Sequence, residues 1–264
     1  MPLRKHADML ASLHDRLNRR RYVHPDPLEF LYRYEDPADR EIDALIASSL
    51  AYGRVAQILK SVSAVLGRIG PDPARALADS SPARLRKAMA GFRHRFSTGE
   101  QVAAMLAGAR RAIRRHGSLG ACFAAGASPD DETVLPALQA FVGEVSKVGD
   151  CGHLLPDPSR KSACKRLNLM LRWMVRRDRV DPGGWDGAAA AGLIVPLDTH
   201  MHRIGLGLGA TRRKSADMRT ALEITAAFRK ILPDDPVRYD FALTRVSMYE
   251  GTEALRQWNV KERG

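Results

Sequence analysis

Cysteine is scarce in this sequence of 264 residues, which contains only Cys122, Cys151 and Cys164. An odd number without a closely spaced pair argues against a disulfide framework and against a four-cysteine metal or iron–sulfur site. We therefore predict that each cysteine is a small, reduced core residue. We expect neither a metal nor a cofactor.

Long hydrophobic runs are also missing. No stretch approaches the roughly 18 consecutive apolar residues that a membrane span requires. Charged residues are spread through residues 1–22, which leaves no apolar segment typical of a signal peptide. The sequence therefore predicts a cytoplasmic protein without a membrane partner.

Acidic residues are few relative to basic ones. The chain has 42 Lys and Arg against 30 Asp and Glu, so its formal net charge at pH 7 is +12. The basic residues cluster in segments such as "FRHRF", "ARRAIRRH" and "PSRKSACKR". A surplus of this size favours a polyanion partner, usually nucleic acid. A general preference for arginine in a GC-rich genome is the alternative explanation.

Apolar residues recur at helical spacing in almost every segment, and alternating strand patterns are lacking. We expect a helix break near Gly53, a helix end near Gly67, and one helix that begins at Thr98 and ends at Gly117. The segment "AAAAGLIVPL" could form a short strand, but an extended approach to the next helix is enough to explain it. The sequence predicts an all-α fold.

The expected organisation is a single two-lobed helical domain over residues 1–264. The N-terminal and C-terminal helices would together form one lobe. The middle of the chain, over residues of about 55–180, would form the other.

The segment "IVPLDTH" brings an aspartate to the start of a predicted helix. Pro196 disfavours a helical conformation for Val195, and Asp198 is a good N-cap for a helix that starts at Thr199. Capping alone would explain the aspartate. The apolar approach, however, would also put the carboxylate at the edge of a low-dielectric site, where its charge acts strongly.

Lys165 is the second residue with chemical potential. At helical spacing it shares a face with Leu169, Arg172 and Trp173, and a charge on a partly apolar face must be solvated or paired. A buried amine beside another cation becomes nucleophilic. The alternative is a lysine at a helix edge that extends its charged end to water.

A lysine and an aspartate together suggest one reaction. The amine attacks the anomeric carbon of a nucleotide while the carboxylate stabilises the positive charge that grows on the sugar. The base leaves, and the amine forms a Schiff base with the opened sugar. If the two side chains lie within hydrogen-bond to one-water distance, a shared site is favoured.

The segment "VPLDTHMHRIGLGLG" resembles the aspartate segment of the helix-hairpin-helix DNA glycosylase superfamily, the endonuclease-III-like repair enzymes. The segment "EIDALIASSLAYGRVAQILK" is similar to their first core helix and the turn that feeds the base pocket, and "DPVRYDFALTRVSMYEG" resembles their closing helix. The sequence pattern "SACKRLNLMLRWMVR…PLDTH" looks like that of a bacterial family of unknown function related to that superfamily.

One departure concerns the hairpin that normally precedes the aspartate. Its place is taken by "RVDPGGWDGAAAAGLIVPL", which has neither a G-x-G hairpin nor a lysine. The archaeal 8-oxoguanine DNA glycosylase branch carries its lysine on an earlier helix, and "KRLNLMLR…IVPLD" is similar to that arrangement. Lys165 precedes Asp198 by 33 residues, a spacing close to that of this branch.

The resemblance implies a two-lobed glycosylase-like fold with an atypical or missing hairpin. It implies a monomer that excises a damaged base, such as an oxidised purine, from double-stranded DNA, with Lys165 as nucleophile and Asp198 as catalytic carboxylate. The predicted base pocket comprises Ser48, Ser49, Tyr52, Arg54, Gln57 and Trp185, the last as a stacking ring in a glycine-rich loop. The predicted DNA contacts are Lys161, Arg166, Thr199, His200 and Arg203.

Three alternatives stay open at this point. If Lys165 is structural, Asp198 could activate water instead, which gives a glycosylase without lyase activity. The chain could also be a non-catalytic DNA- or RNA-binding protein on the same fold, with Asp198 acting as a cap only. A metabolic enzyme with an anionic substrate is the third.

Overall fold

The computed structural model describes residues 3–249, and in that range the protein is built from α-helices joined by short turns and 3-10 segments. The all-α prediction is confirmed. The helices are α1 (Ala7–Leu17), α2 (Pro37–Ser49), α3 (Val55–Ile69), α4 (Pro73–Ala78), α5 (Pro82–Ala88), α6 (Gly99–His116), α7 (Leu119–Ala124), α8 (Leu135–Val145), α9 (Lys165–Val175), α10 (Thr199–Gly207), α11 (Met218–Arg229) and α12 (Asp240–Tyr249). The strands β1 (Arg93–His94) and β2 (Ser97–Thr98) pair in an antiparallel hairpin.

Most helix boundaries follow the local capping signals. Thr98 and Gln101 form a reciprocal capping box at the start of α6, and Gly117 ends that helix. Gly53 has φ +98° and separates α2 from α3, as expected. The helix end expected at Gly67 is wrong: α3 continues to its C-cap Gly70, which adopts the left-handed region that glycine tolerates (φ +108°).

Helix α2 lies at the centre of the fold, and every residue from Glu41 to Ser49 is buried. It packs against α9 and against the 3-10 helix Pro27–Arg33. Helix α6 packs against α5, α7 and α8, whereas α12 packs against both α1 and α10. The first and last described helices are therefore neighbours, and the division into two lobes stays a prediction.

The three cysteines are free and buried, which confirms their expected place in the core. Every helix in the described part of the chain is too short or too polar to cross a membrane.

A network of buried ion pairs lies along the inner side of α9. The Arg172 guanidinium donates to Asp181 and to Asp240, while Arg176 donates to Asp181 and to Asp235. Arg172, Asp181 and Asp240 are all at least 95% buried. A buried charge needs a partner, and here the partners of the α9 arginines lie on other elements. The network therefore ties α9 to α12 and to the chain that follows α9.

Asp43 is a buried carboxyl without a hydrogen-bond partner among the described residues. Burial raises its pKa to about 8, against a smaller opposing effect of Arg33. The folded protein therefore holds a proton that the unfolded chain has already released above its ordinary pKa of about 4. The stability contribution of this group is largest below the unfolded pKa and falls as pH rises towards the folded value.

We expect Asp43→Asn to remove this pH dependence, because the amide is a neutral isostere of the protonated acid. Between pH 6 and pH 7, the stability of the unmodified protein relative to the variant should fall by about 1 kcal/mol. Urea denaturation of both proteins at each pH measures the difference. A difference that is constant from pH 5 to pH 8 would contradict the protonated state of Asp43.

Candidate functional site

A cleft of about 650 Å³ opens where the starts of α3, α9 and α10 meet α12. Its walls are largely apolar and include Ile58, Leu169 and Phe241. Both Lys165 and Asp198 line it. A volume of this size is within the range of small-molecule sites.

Lys165 and Asp198 form an ion pair in this cleft. The Lys165 Nζ lies 3.2 Å from Asp198 Oδ2, and the two side chains are 34% and 21% exposed. The separation is that of a direct hydrogen bond, so the criterion of a shared site is met. The pair is neither sealed in the core nor fully in water, and it is reachable from the cleft.

The two carboxylate oxygens of Asp198 have separate tasks. Oδ1 accepts from the backbone N–H groups of His200 and Met201, both at 2.9 Å, and so caps α10. Oδ2 faces Lys165. Capping and a role in the cleft are therefore compatible in one side chain.

The charge state of Asp198 follows from these neighbours. Burial acts to raise the pKa of this carboxyl, but the Lys165 ammonium and the Met201 N–H together outweigh it, and the pKa is lowered. Asp198 is thus an anion throughout the neutral range. It can stabilise a cation in the cleft without first losing a proton.

Lys165 is the first residue of α9, and the backbone before it is strained. Cys164, the N-cap of that helix, adopts the left-handed region with φ +48°. For a residue other than glycine this conformation costs about 1–2 kcal/mol. It turns the chain into α9 at the position where the Lys165 side chain meets the cleft, and such strain often accompanies a functional site.

Further charged side chains line the inner part of the cleft. Arg172 and Asp240 reach it from the buried network, and Arg245, which is paired with Asp26, reaches it from α12. Burial raises the pKa of Asp240 to about 6, although Arg172 opposes the shift. With Lys165 and Asp198, three cationic and three acidic side chains therefore share the cleft.

The family comparison covers almost the whole described chain. A family model described as a protein of unknown function (DUF2400) matches residues 26–249. The chain belongs to the DUF2400 family. No match was found among curated proteins or among solved structures. The matched range includes every residue that lines the cleft except Pro25.

Of the six residues predicted to form a base pocket, the structure places one in the lining of the cleft. Tyr52 lines the cleft, but Ser48 and Ser49 do not, because both are buried within the central helix α2. Arg54 and Gln57 are exposed near the start of α3 and also lie outside the lining of the cleft.

Trp185 is not a stacking ring in the cleft, so that prediction is wrong. The side chain is buried, stacks on Phe123 with centroids 5.6 Å apart, and donates its indole N–H to Glu41 Oε2 at 2.9 Å. It is a core residue of this DUF2400 chain, because its polar atom and its ring face are both satisfied inside the protein.

Four of the five predicted DNA contacts lie either in the lining of the cleft or exposed on the surface. Thr199 and His200 line the cleft, and the His200 ring is held at 3.0 Å from Ser247 Oγ. Lys161 and Arg203 are exposed. Phosphate contacts at these residues stay predictions.

Arg166 has a structural role that the sequence did not indicate. Its guanidinium donates to the carbonyl oxygens of Ser49 and His153 and lies 4.8 Å from the centroid of the Tyr52 ring. It thereby ties the start of α9 to the end of α2. A phosphate contact at Arg166 stays a prediction.

Sequence reasoning missed the contribution of α12 to the cleft. Asp240, Thr244 and Met248 all line it, and they are spaced four residues apart, so they lie on one face of the helix. The four-residue spacing of these side chains was the available signal.

The segment that precedes Asp198 lacks a helical hairpin. Between α9 and α10 the described chain forms only a 3-10 turn, Ala190–Gly192, and extended or irregular backbone. The extended approach expected for "AAAAGLIVPL" holds only in its second half, because Ala190–Gly192 in its first half forms the 3-10 turn. This DUF2400 chain therefore has no helix-hairpin-helix unit at that position. Within residues 3–249, no group of three or more His, Cys, Asp or Glu side chains is arranged to hold a metal ion.

Proposed function

We propose that this protein is a DNA glycosylase that removes a damaged base, such as an oxidised purine, and that it also cleaves abasic sites through Lys165. The observation that carries the proposal is the 3.2 Å contact between the Lys165 amine and the Asp198 carboxylate in an accessible cleft. A nucleophile and a fixed anion at this separation suit displacement at a sugar carbon.

The first step would be displacement of the base. As the N-glycosidic bond breaks, its electron pair leaves with the base, which takes up a proton, and positive charge develops on the sugar. The Asp198 carboxylate would stabilise that charge. Lys165, once it has passed a proton to a base or to water, would attack C1′ and form a new C–N bond.

The second step would open the sugar. Loss of one amine proton lets the nitrogen form a double bond to C1′ while the bond from C1′ to the ring oxygen breaks and that oxygen is protonated, which gives a protonated Schiff base between Lys165 and C1′. Loss of a proton from C2′ then expels the 3′ phosphate by β-elimination. Hydrolysis of the imine returns the free amine, so no redox partner is required.

Exposed cations beside the cleft support a nucleic-acid substrate. Two loops are joined by an antiparallel bridge between Ser162 and Asp217, and Ala216 of the second loop lines the cleft. Phosphates of a bound duplex would find several cations on this surface. The exposed basic side chains of the two loops are Arg160, Lys161, Arg212 and Lys214.

The apolar walls of the cleft support the extrusion of a single nucleotide. Extrusion costs a few kcal/mol of stacking and pairing, on the order of what burial of a base against apolar side chains can recover. Ile58, Leu169 and Phe241 provide such walls close to Lys165.

The test is borohydride trapping. Duplexes that contain an abasic site or an 8-oxoguanine are incubated with the protein and sodium borohydride, and any covalent adduct is digested and mapped by mass spectrometry. We expect an adduct on Lys165. Lys165→Ala should abolish the adduct, whereas the matched control Lys87→Ala, which removes an exposed lysine of α5 outside the cleft, should leave the yield unchanged.

Two outcomes would contradict the proposal in different ways. Base release without an adduct would favour activation of water by Asp198 and would contradict the proposed lyase activity. Tight duplex binding with neither adduct nor base release from any lesion would favour the binding protein, in which Asp198 only caps α10.

A further inference from the structure

The β1–β2 hairpin carries the most exposed large hydrophobic side chain of the described residues. Phe96 is 66% exposed, and it follows Arg95 in the two-residue turn between the strands. Arg95 adopts the left-handed region with φ +51°. A single exposed hydrophobic side chain is common at protein surfaces, so the case for a binding role depends on what surrounds this ring.

The hairpin is fixed rigidly to the wall of the cleft. The side chain of His94, the last residue of β1, is buried, with Nε2 3.0 Å from the Tyr52 carbonyl oxygen and Nδ1 2.9 Å from Ser61 Oγ. The Tyr52 hydroxyl donates to the His94 carbonyl oxygen and lies 2.8 Å from Ser97 Oγ. Because Tyr52 itself lines the cleft, the tip of the hairpin is held at a set position relative to it.

Phe96 does not line the cleft itself, but its neighbours are joined to residues that do or that adjoin them. The centroid of the Phe96 ring is 6.0 Å from that of the His153 ring, and the His153 carbonyl oxygen accepts from Arg166, the residue after Lys165. Arg95 packs against Gly53, where an added Cβ would lie 2.8 Å from Arg95 Cδ. Gly53 lines the cleft, so this close approach joins the turn of the hairpin to its edge.

The surroundings of Phe96 are cationic. Arg93 and Arg95 are exposed on the hairpin, the Arg95 guanidinium lies 5.5 Å from the Phe96 ring centroid, and residues 93–98 contain no acidic residue. Arg54 is exposed next to Gly53. An aromatic ring flanked by cations complements a stack of bases flanked by phosphates.

We infer that Phe96 inserts between base pairs of duplex DNA next to the cleft and occupies the space that the extruded nucleotide leaves. The inference rests on the proposed function, which supplies duplex DNA as the partner. Phe96 would contact the bases themselves from a hairpin outside the cleft. The exposed cations of the two loops described above would contact only phosphates. Arg93 and Arg95 would hold the backbone on either side of the inserted ring.

The experiment compares Phe96→Ala and Phe96→Trp with the unmodified protein. Each is titrated with a duplex that carries an abasic site next to 2-aminopurine, and both affinity and 2-aminopurine fluorescence are recorded. We expect Phe96→Ala to weaken duplex binding roughly ten- to a hundredfold and to abolish the fluorescence change, as for the loss of one stacked ring. Phe96→Trp should retain both. Leu206→Ala, which removes another exposed hydrophobic side chain, is the matched control and should change neither.

Single-stranded DNA separates this inference from the proposed function. Its bases are already unstacked, so Phe96→Ala should trap as much borohydride adduct on a single-stranded abasic site as the unmodified protein does. If no adduct forms on any DNA but the affinity and fluorescence still depend on Phe96, the insertion stands and the glycosylase proposal fails. Equal duplex affinity and equal fluorescence for Phe96→Ala and the unmodified protein, or no duplex binding at low salt, would overturn the insertion.

Discussion

Replacing Asp198 by asparagine should slow the proposed base excision by about two to three orders of magnitude while the fold is retained. The amide oxygen can still accept from the His200 and Met201 N–H groups, because asparagine caps helices about as well as aspartate. The negative charge opposite Lys165 is lost, however. Removal of one preorganised electrostatic contact to a developing charge typically has an effect of this size.

The measurement is the single-turnover rate of base release, taken together with the urea denaturation midpoint. The matched control is Asp36→Asn, since Asp36 is an exposed N-cap of α2 that accepts from Ala38 N–H and lies outside the cleft. It should change neither the rate nor the midpoint appreciably. If Asp198→Asn retained more than about a third of the rate of the unmodified protein, the proposed electrostatic role of this carboxylate would be contradicted, and capping would be its only role.

Replacing Arg172 by methionine should lower the free energy of unfolding by about 3–5 kcal/mol. The methionine fills much of the space of the arginine stem, but it leaves Asp181 and Asp240 with fewer partners. Both carboxylates are almost fully buried, and among the described residues Arg172 provides the ion pair of Asp240. An uncompensated buried charge is far more costly than the loss of a pair at the surface.

Urea denaturation followed by circular dichroism measures this change. The control is Arg75→Met, because Arg75 and Asp79 form an exposed pair whose atoms are 3.8 Å apart. That substitution should cost less than about 1 kcal/mol. A midpoint for Arg172→Met equal to that of the control variant would show that the buried network does not support α9.

The same network bears on the cleft. Arg172 lies two turns after Lys165 on α9, and its partner Asp240 is the first residue of α12, the helix that forms the opposite part of the lining. The buried pair thus holds together two helices that carry the cleft. The position of the Lys165 amine relative to Asp198 depends on α9, which this pair anchors.

The sequence alone determined the features that depend on neighbouring residues. The start of α10 at Thr199 follows from Pro196 and the capping aspartate, and the limits of α6 follow from Thr98 and Gly117. Helical spacing showed only that Lys165 must be solvated or paired, and its connection with Asp198 was predicted from the reaction that the two residue types suggest. Capping and helical periodicity act over a few residues, so they can be interpreted without the fold.

Only the tertiary structure decided which of the other polar residues face the cleft. Ser49 is buried because α2 is surrounded by other elements, and no spacing in its sequence records that. Trp185 is buried because its indole meets Glu41, which is 144 residues earlier in the chain. Phe96 lies near the cleft because His94 binds Tyr52 across 42 residues. Burial is a property of contacts between distant segments, and composition and periodicity do not contain those contacts.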